Sequence, residues 1–238
     1  MKLSPLVTTA TKLGIKHIEI QLNRSNHPRQ WLNPLTGKSC SVEQAVLDGF
    51  SVDGWRGFSG EGGLILNLIK SMSFKVVAPR HRATYIEALY AQNVAFAEDR
   101  YEKAFLLETL ASSDEATIIK NFDFMASSHV VTEGYGGSSS INKTSMLDFF
   151  PGLEQWMFVG LFRAAGTQLI HRIASKFSED PYEYRRGWPD ITMWRDEELR
   201  FVEVKAPRDK IQASQKKVIE EFAIPLGLDF WLAEVIEV

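Results

Sequence analysis

The sequence predicts an α/β fold in which a small sheet is flanked by helices and accompanied by a large helical portion. Two short runs, 191–194 and 200–204, are rich in β-branched and aromatic residues and enclose a polar turn, a pattern typical of a β-hairpin. Apolar residues at helical spacing follow over 209–222, and an apolar strand over 228–238 ends the chain. This order of elements places helices against a sheet.

The part of the chain before the hairpin is mainly helical. Segment 82–110 is charged and rich in Ala, Leu and Glu, and segment 153–177 is almost continuously apolar from Trp156 to Phe162, so both predict long helices. Glycines and serines predict a flexible loop over 134–140. Five apolar residues at helical spacing predict a further helix over 61–74, and they are Leu64, Ile65, Leu68, Ile69 and Met72.

Length and composition favour a single domain. With 238 residues, of which 45% are hydrophobic, the chain can bury one substantial core. We expect residues 1–40 to form an N-terminal extension and residues 41–180 to form a mainly helical part that carries Glu61. Residues 181–238 then form the core around the hairpin.

Several classes of protein are excluded by composition and motifs. The single cysteine, Cys40, rules out a disulfide framework and a cysteine-based zinc cluster. The histidines share no metal-ligand spacing and no phosphate-binding glycine loop occurs, so zinc hydrolases and nucleotide hydrolases receive no support. No apolar run approaches the ~20 residues of a membrane span, and the N-terminus has no adequate signal-peptide core. We therefore expect a cytoplasmic protein with no membrane partner.

The predicted hairpin places three ionisable side chains on one face. If the turn is centred on Asp196 and Glu197, Asp190 falls opposite Glu203. Because side chains alternate between the faces of a strand, Asp190, Glu203 and Lys205 then share one face. The opposite face carries the apolar side chains of Ile191, Met193, Val202 and Val204.

These residue types fit a metal site that cleaves phosphodiesters. Two carboxylates opposed across a ladder stand roughly 5 Å apart at Cβ and repel one another, and a divalent cation relieves that repulsion while gaining oxygen ligands. Lys205 could orient the attacking water and offset charge on phosphorus, while the metal activates that water. The carbonyl of Val204 could supply another ligand. The alternative is an ordinary hairpin at the surface, whose charged residues lie on its solvated face and have no catalytic role.

Glu61 is the candidate for a third carboxylate. It stands at the start of the predicted helix 61–74, among glycines that allow the backbone to approach another surface closely. An acid in the first turn of a helix is also stabilised by the helix dipole, so Glu61 has a purely structural reading. Because Asp190 and Glu203 already suggest a metal site, we interpret Glu61 as a third ligand of that site.

Two groups of motifs, one near residues 41–62 and one near residues 187–207, carry a family resemblance. Ser-Val-Glu-Gln at 41–44 leads to Gly-Trp at 54–55 and Gly-Glu-Gly at 60–62. Gly-Trp-Pro-Asp at 187–190 and Glu-Val-Lys-Ala-Pro at 203–207 follow. The pattern resembles the VRR-Nuc branch of the PD-(D/E)XK nucleases, and within it the nuclease domain of the Fanconi-associated nuclease. The resemblance covers roughly residues 40 to 238, with alanine at 206 where the family usually has glycine.

The resemblance implies both a fold and a set of site residues. The fold is a restriction-endonuclease-like PD-(D/E)XK core, a mixed sheet flanked by helices, so that residues 1–238 form a single nuclease domain. Lys205 assists the attack of water, and Gln215 faces the active site. One or two Mg²⁺ or Mn²⁺ ions are held by Glu61, Asp190, Glu203 and the carbonyl of Val204.

The resemblance also implies a substrate, which is branched DNA such as 5′ flaps. Endonuclease and 5′-exonuclease activity in DNA repair follow from it, at the nucleoid of a bacterium or in a eukaryotic nucleus. The chain lacks room for the N-terminal regions of full-length family members, which leaves flap specificity open. A Holliday-junction or restriction-type PD-(D/E)XK nuclease and a non-catalytic DNA-binding module remain alternatives. The oligomeric state also stays open.

Local basic clusters offset an unfavourable overall charge. The net charge of −3 is unusual for a protein that binds DNA, since phosphate contacts dominate affinity for nucleic acids. Arginines and lysines nevertheless adjoin the proposed site and predict a local basic rim, although Lys216 and Lys217 fit a solvated helix face equally well. The clusters comprise Arg80, Arg82, Arg185, Arg186, Arg208, Lys210, Lys216 and Lys217.

Overall fold

The chain forms two compact units, one assembled from both ends of the sequence and one from its middle. The computed structural model describes residues 4–77, 79–84, 88, 103–135 and 138–238, and the side chains of residues 80 and 131–142 lie outside this description. The terminal unit comprises Met1–Gly62 with Arg186–Val238, and the middle unit comprises Gly63–Arg185.

The helices and strands follow in chain order. The first part contains α1 Pro5–Leu13, β1 Lys16–Leu22, β2 Trp31–Leu32, β3 Ser39–Cys40, α2 Val42–Ser51 and β4 Arg56–Ser59. The middle unit contains α3 Gly63–Met72, α4 Lys103–Ala111, α5 Glu115–Ala126, β5 His129–Tyr135, β6 Ser138–Thr144, α6 Met146–Phe149, α7 Gln155–Phe177 and α8 Pro181–Tyr184. The last part contains β7 Ile191–Arg195, β8 Glu198–Lys205, α9 Ala213–Val218, a π-helical turn Ile219–Ala223, α10 Ile224–Leu226 and β9 Asp229–Glu237.

The terminal unit is built on a mixed five-stranded sheet in the order β1–β9–β8–β7–β4. Strands β1, β9 and β8 run parallel, whereas β8, β7 and β4 pair antiparallel. The predicted α/β class, a mixed sheet flanked by helices, is therefore confirmed.

Each face of this sheet carries its own core. On one face α2 contributes Ala45 and Val46, which pack with strand residues such as Met193 and Val202. The other face packs Phe201 and Phe230 against the helical segment that follows residue 212, through Ile219 and Ala223. The alternation of side chains along β8 thus divides the strand between two cores.

Strand β1 lies within residues 1–40, which we predicted as an N-terminal extension. It pairs in parallel with β9 from Lys16↔Trp231 to Leu22↔Glu237 and forms one edge of the sheet. From His17 to Leu22 its residues alternate between polar and apolar. This period of two is the usual sequence signal of a half-buried strand, so β1 could have been predicted from the sequence.

The C-terminal helix begins later than the predicted residue 209. Residues 206–209 form a turn in which the amide of Asp209 donates to the carbonyl of Ala206 at 3.0 Å, and α9 begins at Ala213. The helix then widens into the π turn Ile219–Ala223. Pro225 follows, and its ring would clash with the carbonyl four residues before it in an α-helix, so the wider turn accommodates it.

The middle unit is mainly helical, as predicted. Helix α3 covers residues 63–72 of the predicted 61–74. Helix α7 covers most of 153–177, but a kink divides it at Gly166, whose φ of 69° and ψ of 155° are not helical. Most of the predicted helix 82–110 lies outside the described residues, which include α4 near its end. The predicted flexible loop 134–140 is wrong where the structure describes it, because these residues belong to the paired strands β5 and β6. No helix in the described part of the chain is long and apolar enough to cross a membrane.

Candidate active site

Asp190 is fixed at the start of β7 by both neighbouring strands. Its backbone carbonyl accepts a hydrogen bond from the amide of Gly60, just after β4, at 2.8 Å. Its side-chain Oδ2 accepts from the amide of Val204 in β8, also at 2.8 Å. The preceding Trp188 is buried and packs against the ring of Phe222, with 5.3 Å between ring centroids. The carboxyl group of Asp190 is therefore held against β8, the strand that carries Glu203 and Lys205.

The hairpin has the predicted register. Ile191 pairs with Val202 and Arg195 with Glu198, so Asp190 falls opposite Glu203. The side chains predicted for the apolar face, including Ile191 and Val202, are buried in the core beneath α2. The separation of the hairpin into one apolar and one ionisable face is thus confirmed.

Glu203, Lys205 and Gln215 form a buried polar cluster on the ionisable face. Lys205 Nζ stands 2.7 Å from Glu203 Oε1 and donates to Gln215 Oε1 at 3.0 Å. Gln215 Nε2 donates to the same Glu203 Oε1 at 2.6 Å. Glu203 has a relative exposure of 0% and Lys205 of 6%, so these are strong charge-assisted contacts in a site shielded from water.

The second oxygen of Glu203 is the unusual atom of the cluster. Oε2 is buried, and no hydrogen-bond donor among the described residues reaches it. Asp190 raises the pKa of Glu203 by its negative charge and by a hydrogen bond between the two carboxyl groups, which requires a proton on one of them. An orphaned buried acceptor carries a desolvation cost of about 1–3 kcal/mol or more, and a divalent cation would remove it.

Burial raises the pKa of both carboxyl groups. The pKa of Glu203 is raised to about 9, first by burial and then by the charge of Asp190, against the opposing effect of Lys205. The pKa of Asp190 is raised to about 6, again chiefly by burial, although the amide of Val204 lowers it. Both carboxyl groups therefore hold protons more tightly than they would in water, because burial outweighs the opposing charge of Lys205.

Glu43 is a further acidic residue that the sequence analysis did not assign to the site. It lies in the first turn of α2, after the N-cap Ser41, and its charge contributes to the raised pKa of Asp190. The neighbouring Gln44 accepts a hydrogen bond from Ser59 Oγ at 3.1 Å, which ties this turn to the end of β4. The signal in the sequence that could have indicated Glu43 is its position in the first turn of the helix that precedes Gly54 and Trp55.

Replacing Glu43 with glutamine should lower the pKa of Asp190 in the metal-free protein. The substitution keeps the shape of the side chain but removes one of the negative charges that oppose ionisation of Asp190. The measurement is an NMR titration of the Asp190 side-chain carboxyl carbon in wild type and variant. Glu19→Gln, at an exposed position on β1, is the matched control. An unchanged titration in Glu43→Gln would contradict this placement.

Glu61 is exposed and lies two residues before α3. The prediction that the helix begins at residue 61, with Glu61 in its first turn, is therefore wrong. Helix α3 begins at Gly63. Glu61 has φ +23° and Gly62 has φ +75°, and a Cβ at Gly62 would stand 2.6 Å from the Cβ of Trp188. This close packing requires glycine and places a turn where a helix was predicted. The adjacent Gly60 contacts Asp190 through its backbone.

The structure assembles part of the predicted metal-ligand set. Asp190 and Glu203 lie together with Lys205 and Gln215, as described above. Over the described residues, however, no three His, Cys, Asp or Glu side chains stand close enough together to hold a metal ion. Ligation by Glu61 and by the carbonyl of Val204 stays a prediction.

The basic residues of the terminal unit include exposed side chains near the cluster in sequence. Arg186, Arg208, Lys210 and Lys216 are exposed.

In the middle unit, the guanidinium of Arg82 is held by contacts with neighbouring residues. Its guanidinium donates to the carbonyl of Val77 at 2.9 Å and lies over the ring of Phe74. Arg82 is therefore a poor candidate for a phosphate contact.

The sheet order, the hairpin and the carboxylate–lysine cluster together define an α/β core with a mixed five-stranded sheet and a buried polar site at its β7–β8 hairpin. Residues 152–235 match the family model described as the VRR-NUC domain. This match confirms the resemblance inferred from the motifs for that segment, and it includes Asp190, Glu203, Lys205 and Gln215.

Two crystal structures of paFAN1 share this fold. The structure bound to 2-nucleotide 5′-flap DNA with a gap is 17% identical, with a TM-score of 0.62 over 97% of this chain and 41% of that chain. The structure bound to 1-nucleotide 5′-flap DNA with a gap is 18% identical, with a TM-score of 0.61 over 98% of this chain and 42% of that chain. This chain thus spans about two-fifths of their length. No curated protein matched its sequence.

Proposed function

We propose that this protein is a divalent-metal-dependent nuclease that hydrolyses phosphodiester bonds in DNA. The observation that carries the proposal is the buried Glu203, whose Oε2 has no donor among the described residues while Asp190 adds a second negative charge. A cationic lysine lies at 2.7 Å on the other oxygen. The match to the VRR-NUC domain over residues 152–235 supports the same activity.

The carboxylates fit a hard divalent cation, Mg²⁺ or Mn²⁺. Asp190 and Glu203 would hold it, and Glu61 and the carbonyl of Val204 would complete the ligand set. Such a cation supplies Lewis-acid stabilisation for the charge that develops on the phosphoryl oxygens. It would also favour the ionised form of both carboxyl groups, against the burial that raises their pKa.

Lys205 acts on the attacking water and on the charge that develops at phosphorus. Its ammonium is held by Glu203 Oε1 and Gln215 Oε1, which leaves one of its three donors for a substrate or water oxygen. A fixed donor in a shielded site stabilises a developing negative charge without reorganising during the reaction. This is the role that the resemblance assigns to the lysine.

Branched DNA with a 5′ flap is the proposed substrate, cut by endonuclease and 5′-exonuclease activity in DNA repair. The solved structures of similar fold hold 5′-flap DNA, and the exposed Arg186, Arg208, Lys210 and Lys216 offer phosphate contacts. Such a substrate places the protein at a bacterial nucleoid or in a nucleus.

The test is cleavage of a labelled 5′-flap duplex by the full chain with Mg²⁺, with Mn²⁺ and with a chelator. We expect metal-dependent incision, and its loss in Asp190→Asn, which keeps the side-chain volume but removes the charge. Cleavage of a Holliday junction and of a linear duplex, measured in parallel, distinguishes the flap nuclease from the other PD-(D/E)XK activities. DNA binding without cleavage under both metals would instead indicate a non-catalytic module.

A further inference from the structure

Gln215 connects the two catalytic candidates through a single side-chain amide. Its Oε1 accepts from Lys205 Nζ at 3.0 Å and from the backbone amide of Gln212 at 2.8 Å. Its Nε2 donates to Glu203 Oε1 at 2.6 Å. The acceptor end therefore faces a cation and the donor end faces a carboxylate, which fixes the orientation of the amide.

This arrangement leaves the two oxygens of Glu203 unequal. Oε1 receives both Lys205 and Gln215, whereas no donor in the described part of the chain reaches Oε2. Without the amide of Gln215, Lys205 would keep a single carboxylate contact, and the carboxyl group of Glu203 could rotate. The amide therefore determines which oxygen stays open.

The position of Gln215 is itself fixed by a close backbone approach. Gly187 has φ +82°, and a Cβ at this position would lie 2.3 Å from the carbonyl carbon of Ser214 and 2.7 Å from the amide nitrogen of Gln215. Only glycine allows this contact. The first turn of α9 thus lies directly against the backbone that leads into Asp190.

We propose that Gln215 is a positioning residue, which holds the ammonium of Lys205 in place and keeps Glu203 Oε2 directed to the cation. It touches neither the cation nor the DNA, and it acts through the two groups that it orients. The proposal rests on the proposed nuclease function and assigns a distinct task to one residue of that site.

The matched pair of variants is Gln215→Ala and Gln212→Ala. The side chain of Gln212 accepts from the backbone amide of Gln215 and caps α9, so Gln212→Ala weakens the helix start but keeps the amide on Glu203 and Lys205. In the flap cleavage assay with the full chain, Gln215→Ala should lower kcat by about 10-fold or more, with KM within about 2-fold of wild type. Gln212→Ala should stay close to wild type in both.

A metal-binding measurement separates positioning from general destabilisation. Gln215→Met keeps the length of the side chain but offers neither an acceptor to Lys205 nor a donor to Glu203 Oε1. Because Glu203 then loses the contact that orients it, Mn²⁺ binding, measured by calorimetry without DNA, should weaken by about 10-fold or more.

The outcomes distinguish this proposal from the function on which it rests. If wild type cuts DNA and Gln215→Ala cuts equally well, the positioning role is wrong while the nuclease function stands. Equal losses in Gln215→Ala and Gln212→Ala would also overturn it, in favour of simple helix capping. If Gln215→Ala does not fold, unchanged Mn²⁺ affinity in Gln215→Met overturns it. An inactive wild type contradicts the proposed function itself.

Discussion

Replacing Lys205 with alanine is expected to lower the rate of DNA cleavage by about 10²–10³-fold, the usual cost of losing one preorganised donor in an active site. Lys205 is almost fully buried and carries the one ammonium group in contact with Glu203 among the described residues. Removing it takes away the donor for water or phosphate and leaves a buried carboxyl group without its cation. The loss should appear mainly in kcat.

The measurement is single-turnover cleavage of the labelled flap at saturating metal. Lys12→Ala, at an exposed position in the last turn of α1, controls for the loss of a lysine as such. Lys205→Arg should not restore the rate, because a planar guanidinium cannot replace a compact ammonium between two oxygens. Cleavage by Lys205→Ala at the wild-type rate would remove Lys205 from the mechanism.

The metal-free protein is expected to lose stability as the pH rises from about 5 to 9. Both Asp190 and Glu203 have raised pKa values in the folded state, about 6 and about 9. Above the ordinary pKa of a carboxyl group, the unfolded chain releases protons that the folded chain retains. The free energy of unfolding therefore falls as the pH rises through this window.

Chemical denaturation at several pH values checks this, with Glu203→Gln as the comparison. The variant keeps a side chain of the same shape but has no proton to lose, so its stability should depend less on pH. Added Mn²⁺ should stabilise wild type more at pH 8 than at pH 5.5, and by about 2.7 kcal/mol at 100 times its Kd. A metal-free wild type whose stability rises over this window would contradict the raised pKa values.

The hairpin that carries the site was predictable because two independent constraints agree on its register. The turn at Asp196 and Glu197 fixes which residues oppose one another, and the apolar alternation fixes which face is buried. A shift of one residue would have placed Ile191 and Val202 on the ionisable face. The opposition of Asp190 and Glu203 followed from this alone, before any tertiary contact was known.

The contributions from distant segments were not predictable in the same way. Glu43 lies far from Asp190 in sequence, and its effect on the pKa of Asp190 depends on how α2 packs against the sheet. The turn at Glu61 depends on Gly62 packing against Trp188, a contact over more than a hundred residues. Helical periodicity indicates which face of a helix is buried, but it contains no information on such partners.

The parallel pairing of β1 with β9 bears on where the sheet that carries the site begins in the sequence. Strand β9 is the neighbour of β8, which carries Glu203 and Lys205, and β1 covers its other side over seven residue pairs. A fragment that began at the first family motif, near residue 41, would leave the backbone amides and carbonyls of β9 open along one side. Such an edge invites pairing with another chain. The sheet that carries the site therefore includes β1, which lies before the segment that the family motifs mark.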